Sequence, residues 1–139
     1  MKNKFKLIWA LFVIMLLITV VGCMGQKNDV WADATYTSDT VLGEGGKSIT
    51  VVVKADDRSL TFTLKTDADN LGAALLETKL AEGEDGPYGL YIKKVNGILA
   101  DYDVDKHYWS VEKDGTALMT GADGEKIQGG ETYEVIRAR

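Results

Sequence analysis

Cys23, the only cysteine in the 139-residue chain, stands directly behind the one long stretch without charge. With no second thiol there is no disulfide framework and no multi-cysteine metal site, so whatever folds here must rest on an apolar core. Lys2, Lys4 and Lys6 precede the charge-free run at 7–21, and Gly22 stands immediately before the cysteine. A basic start, an apolar middle and a small residue at the cut are the plan of an export signal. Residues 1–22 are therefore expected to be a signal peptide.

A lone cysteine in an apolar stretch is ordinarily a buried, inert small hydrophobe. The basic flank and the Val20-Val21-Gly22-Cys23 sequence set this one apart. It resembles a bacterial lipoprotein signal, in which the thiol receives a diacylglycerol, although leucine is commoner where Val20 stands. The resemblance implies that Cys23 is lipidated, with the membrane as partner and the extracytoplasmic face of the cell membrane as location. Two acyl chains, at about 0.8 kcal/mol per buried methylene, hold a domain durably at a bilayer. Two alternatives rank behind. Cleavage after Ala32-Asp33-Ala34 lies well past the apolar run, and the run is shorter than the roughly 20 residues of a spanning helix.

The whole chain carries −5. The three lysines of the signal contribute +3, so the 117 residues after it carry −8. That balance argues against nucleic acid, which requires a basic face. The length suggests one small domain. A domain of about 90 residues buries roughly 60–65% of its unfolded surface, which is small but viable.

Residues 23–46 read as a flexible tether, polar and ending in Gly43-Glu44-Gly45-Gly46; Trp31 and Tyr36 within it either dock on the domain as an early extra strand or are isolated surface aromatics, the second reading slightly preferred. The folded domain is expected over 47–139. Residues 48–55 and 60–66 are rich in Val, Ile, Thr and Phe and flank Asp56-Asp57-Arg58-Ser59, a β-hairpin by period and punctuation. Thr66-Asp67-Ala68-Asp69 is a weak capping box. After it Leu71, Ala74, Leu75 and Thr78 form one helical stripe of about three turns. Gly72 in that stripe lets a strand come close. Residues 83–87, holding the only proline, read as a loop. Strands follow at 88–95, 98–100, 106–113, 116–119 and 132–137, with hairpin turns at Asn96-Gly97 and Asp114-Gly115. A single helix packed across a mixed sheet is the economical burial of both faces. The expected fold class is α+β, of the β-grasp (ubiquitin-like) kind.

Leu75-Leu76, Tyr88-Gly89-Leu90-Tyr91, Val95-Asn96-Gly97-Ile98, Tyr108-Trp109-Ser110-Val111 and the run from Gly129 to Val135 carry a family likeness in their order and spacing. Together they resemble the domain of unknown function that also forms the C-terminal domain of transcobalamin and intrinsic factor. The resemblance covers about 48–139. It implies a β-grasp domain of the kind that closes over cobalamin in the vitamin carriers. It also implies the company of bacterial surface lipoproteins that serve micronutrient uptake.

Asp101, Asp103 and Asp105 with Glu112 imitate a calcium loop, but Lys106 occupies the position that demands glycine, so no metal site is expected. His107, the only histidine, has no activated serine or cysteine to serve, and no G-x-S-x-G elbow exists. Acid pairs such as Glu82/Glu84 and Asp101/Asp103 are ordinary in an acidic domain. No enzyme and no cofactor are expected. Lys93 and Lys94 point to opposite faces of a strand and form no patch.

The aromatics Tyr88, Tyr91, Tyr108 and Trp109 are the candidate ligand-binding residues, because Tyr and Trp offer rigid contact area with a polar handle. Trp109 also fits the core, sharing a face with His107 and Val111. Gly86, Gly89, Gly121 and Gly124 sit where loops would edge a ligand. The expected function is to hold a small molecule, corrinoid-like ligands included, near the membrane for a transporter, using residues 86–91 and 101–109. The alternative is a scaffold that pairs a sheet edge with a protein partner. A concave aromatic pocket favours the first, and a flat unblocked edge favours the second.

Overall fold

The computed structural model describes residues 28–139. The signal segment, Cys23 and residues 24–27 lie outside the described residues. Two runs of alternating residues build the centre. In β2 (Lys47–Ala55), Ile49, Val51, Val53 and Ala55 are buried, and in β3 (Arg58–Thr66), Phe62 and Leu64 are. The antiparallel register sets Ile49 against Leu64 and Val51 against Phe62, so one face is continuous and apolar. β9 (Thr132–Ala138) runs parallel to β2, adding Tyr133 beside Val51 and Val135 beside Val53. Each such side chain contributes roughly 1.5–3 kcal/mol when removed from water.

The larger sheet has six strands in the order β1-β3-β2-β9-β7-β8, where β1 is Thr40–Leu42, β7 is Tyr108–Lys113 and β8 is Thr116–Ala117. β1 lies parallel to β3; β7 is antiparallel to both β9 and β8. A second, three-stranded sheet has the order β4-β5-β6, formed by Ala81–Gly86, Gly89–Val95 and Ile98–Leu99. Helix α1 (Leu71–Glu77) sends Leu71, Ala74 and Leu75 into the core shared with the first sheet and with Ile92, Val95 and Ile98 of the second. A single turn, α2 (Tyr102–Asp105), and two 3-10 turns, Val30–Asp33 and Ala122–Gly124, complete the fold. The described residues are thus mostly sheet, with a mixed six-stranded sheet and few helices. Among the described residues no helix is long and apolar enough to cross a membrane.

Several expectations are corrected. Within the expected tether, Trp31, Tyr36 and Leu42 dock on the domain, although most of residues 37–46 stay exposed. Trp31 is 7% exposed and its indole Nε1 donates to the Ala55 carbonyl at 2.9 Å. Tyr36 sits edge-on to Phe62, and β1 adds a strand to the sheet. The second anchor is Asn96. Its backbone adopts φ 52° in the β5–β6 turn, as expected for Asn-Gly. Its buried side chain also accepts from the Tyr36 N–H at 2.8 Å and donates to the Tyr36 carbonyl at 3.0 Å. One amide thus stands in for a strand partner, and it holds the entering chain.

The helix is capped by Asn70, whose Oδ1 accepts from the Ala73 N–H at 2.8 Å, rather than by the Thr66–Asp69 box. It is two turns long because Lys79, at φ 57°, reverses the chain. Residues 83–86 belong to strand β4, paired with β5, where a loop is expected from their glycines and acids.

Candidate functional site

The tip of the β4–β5 hairpin is made by Pro87 and Tyr88 between the paired Gly86 and Gly89. Proline presets the first turn position, and Gly89 takes φ 105°, a conformation that side chains rarely adopt. The turn leaves Tyr88 86% exposed. Residues 119–121 run beside it. The Gly121 N–H donates to the Tyr88 carbonyl at 3.1 Å, and the Asp123 carboxylate accepts from the Leu90 N–H at 2.8 Å. A Cβ on Gly121 would stand 2.7 Å from the Leu90 nitrogen, so the approach requires glycine.

Behind this contact the loop is fixed. Ala122 and Ile127 are buried. The Leu71 N–H donates to the Glu125 carbonyl at 2.8 Å, and the Ile127 N–H to the Asp69 carbonyl at 3.1 Å. Lys113 Nζ lies 3.1 Å from Glu125 and 2.9 Å from Glu131, and the Tyr133 hydroxyl donates to Glu131 at 2.7 Å with Glu125 3.1 Å away. The Gln128 N–H, followed by Lys113 and the Tyr133 hydroxyl, pulls the Glu131 carboxyl down to a pKa of about 2. Burial, with the two carboxylates, raises the Tyr133 phenol above its usual range.

Between hairpin and loop lies an open cleft of about 650 Å³, within the ordinary range of ligand sites. Residues 84–91 line one side and Met119, Thr120 and Gly121 the other. Glu84 and Tyr91 are cross-strand neighbours on β4 and β5. Lys93, two residues on, reaches Glu84 at 2.9 Å and Asp101 at 3.8 Å, and its Nζ sits 5.9 Å from the Tyr91 ring centre. The hydrogen bond to Glu84 raises the lysine's pKa above its usual value.

The four candidate aromatics divide two and two. Tyr88 and Tyr91 line the cleft; Tyr108 and Trp109 do not. Tyr108 is 40% exposed at the start of β7, opposite Ala138. Trp109 is buried, its Nε1 donating to the Ile98 carbonyl at 3.3 Å. Gly86, Gly89 and Gly121 line the cleft and Gly124 does not; residues 101–109 contribute nothing to it.

The 101–105 segment has a structural role. Asp101 caps α2 by accepting from the Asp103 N–H, and Lys106 takes the left-handed conformation. Asp105 pairs with Arg137 at 2.8 Å. Burial works to raise the Asp105 pKa, but the His107 and Asp101 N–H groups and the Arg137 guanidinium outweigh it and hold the carboxyl low. His107 is half-buried, its Nδ1 2.7 Å from the Asp105 carbonyl. Among the described residues no three His, Cys, Asp or Glu side chains gather as a metal site. Met119, Glu84 and Asp85 as lining residues, and Asp123 as the clamp, are found only in three dimensions. Their sequence neighbourhoods carry generic turn chemistry.

No family model matches this sequence, and neither does any curated protein. Solved structures do. Haptocorrin in complex with Cbi has a TM-score of 0.52 and 20% identity, covering 67% of this chain and 25% of the haptocorrin chain. That level of identity establishes a shared fold. A Ruminococcus gnavus protein, described as "a putative metal binding protein", has a TM-score of 0.62 and 35% identity, covering 68% of this chain and 98% of its own. With that identity along nearly the whole of its relative, the chain belongs to the same family as the Ruminococcus gnavus protein.

Proposed function

We propose that this protein is a lipid-anchored, extracytoplasmic binding lipoprotein. Its β-grasp domain, related to the C-terminal domain of transcobalamin and intrinsic factor, holds a small molecule in the cleft at the β4–β5 tip and serves uptake without catalysis. Corrinoids head the ligand class. The observation that carries the reading is the cleft itself, concave, flanked by Tyr88, Tyr91 and Met119, and backed by a loop tied down at Asp123, Glu125 and Ile127. A wall held in place before the ligand arrives lowers the ordering cost of binding. The β-grasp assignment draws on the central parallel β2–β9 pair, flanked by β3 and β7, with α1 following the first hairpin. The fold shared with haptocorrin supports the ligand class.

Pairing of a sheet edge with a protein partner is the weaker reading. The outer strands of the large sheet, β1 and β8, have three and two residues, and short edge strands blunt such pairing. Beyond β1, the Thr61 N–H is taken by the Asp39 carboxylate at 2.8 Å.

The test is titration of the purified domain with cobalamin and cobinamide, read by calorimetry and by the corrin absorption spectrum. Saturable heat and a spectral shift, both weakened by Tyr88→Ala and Tyr91→Ala, are expected. Silence in both readouts at saturating corrinoid would end the corrinoid assignment.

A further inference from the structure

Two acidic residues, Glu84 and Asp85, line the cleft, and among the described residues no Lys, Arg or His does. A third, Asp123, lies just beneath, its Oδ1 2.6 Å from where a Cβ on Gly89 would stand. Lys93, beside Glu84 and the Tyr91 ring, is engaged by Glu84 and Asp101. Its position is informative. An ammonium already rests between the Glu84 carboxylate and the Tyr91 ring, at 2.9 Å from the first and 5.9 Å from the centre of the second. The pair is exposed, Lys93 at 34% and Glu84 at 63%. Exposed ion pairs of this kind hold weakly and exchange readily. A ligand cation therefore finds a carboxylate and an aromatic face spaced for it, with Tyr88 offering a second exposed ring at the rim. An anionic ligand would meet like charge on the hairpin side of the cleft.

Resting on the reading of this cleft as the binding site, we propose that it selects by charge. It takes ring-bearing ligands that are cationic or neutral and rejects anionic ones, with Glu84 and Asp85 as the specificity-determining residues.

The test uses two small probes that differ in charge, phenyltrimethylammonium and benzenesulfonate, titrated into the 15N-labelled domain. The cation is expected to shift the amides of Gly86, Tyr88, Tyr91 and Gly121 saturably, with at least fivefold higher affinity than the sulfonate. The preference should shrink in 0.5 M salt, where charge is screened within a few ångströms. It should vanish in the Glu84→Gln, Asp85→Asn double variant, whose exposed positions leave the remaining spectrum as a check of folding. Equal shifts from both probes, or a preference that survives the double variant, would overturn charge selection. So would silence from the cation in a domain that binds cobinamide, which would leave the proposed function standing. Cation shifts at the cleft without corrinoid binding would instead support charge selection and remove the corrinoid.

Discussion

Glu131 takes one N–H, one ammonium and one hydroxyl on a single carboxylate, and that concentration makes its protonation matter. Its pKa of about 2 in the folded chain lies below the ordinary value of 4.5. Above about pH 4.5 the group is ionised in both states, and its contribution to stability is complete. Between 4.5 and about 2 the unfolded chain takes up a proton that the folded chain refuses, so stability falls with pH through that window. Glu131→Gln should lower stability at pH 7 by about 1–2 kcal/mol, since bonds to a charged group are worth more than neutral ones. The deficit should shrink as pH approaches 2. Urea melts of both proteins from pH 7 to 2.5 check this; parallel curves across the range would show that Glu131 is not the titrating group. Little of it is legible in the sequence, because Lys113, Glu125, Glu131 and Tyr133 are polar residues without a shared motif, joined only by the return of the 122–131 loop. Asn96 is half legible: Asn-Gly announces a turn, but nothing local announces that the amide also holds Tyr36.

At the scale of elements, Gly72 is a contest between two effects. Replacing it with alanine inside α1 gains about 1 kcal/mol of helix propensity. The new Cβ would stand 2.7 Å from the Asp123 nitrogen and 2.9 Å from its Cα, backbone atoms of the 3-10 turn. Overpacking of that kind costs about 1–3 kcal/mol. The clash should win, so Gly72→Ala is expected to lower the midpoint of thermal melting. It should also broaden or shift the Leu90 amide, because Asp123 holds it. A higher midpoint would mean that the turn yields freely. The glycine's allowance for close approach is legible in the sequence, but its neighbour is this turn and not a strand. The strands with period-two apolar residues, β2, β3 and β9, are legible because each buries one face. β4 is not. Its sequence, Ala81-Glu82-Gly83-Glu84-Asp85-Gly86, buries only the first residue fully and owes its strand geometry to pairing with β5. The cleft inherits that illegibility, since one wall is β4 and the other a loop placed by distant contacts.

For the whole molecule, the packed entry of the chain changes what an anchor at Cys23 would do. A free tether of 23–46 would let the domain tumble tens of ångströms from a bilayer. With residues 28–42 held by Trp31, Asn96 and β1, only five residue steps separate Cys23 from Asn28, at most about 18 Å. Asn28 and Asp29 lie beside Asp56 and Asp57 of the β2–β3 turn. The cleft is elsewhere. β5 runs from Gly89 in the cleft to Val95, roughly 20 Å away, where the Asn96-Gly97 turn lies against residues 33–36. A lipid on Cys23 would therefore hold the Asp57 end toward the bilayer and the cleft toward the medium. Because the chain has no other cysteine, Asp57→Cys and Thr120→Cys accept a fluorophore selectively once Cys23 is acylated. In vesicles carrying a headgroup quencher, the label at position 57 should be quenched several-fold more than that at 120. Adding Trp31→Ala, which removes a buried indole at a cost of about 3–5 kcal/mol, should free the strap, lengthen the leash and bring the two closer. Equal quenching in the unaltered strap would mean that the packed entry does not orient the domain, and failure of Cys23 to take up labelled fatty acid would remove the anchor itself.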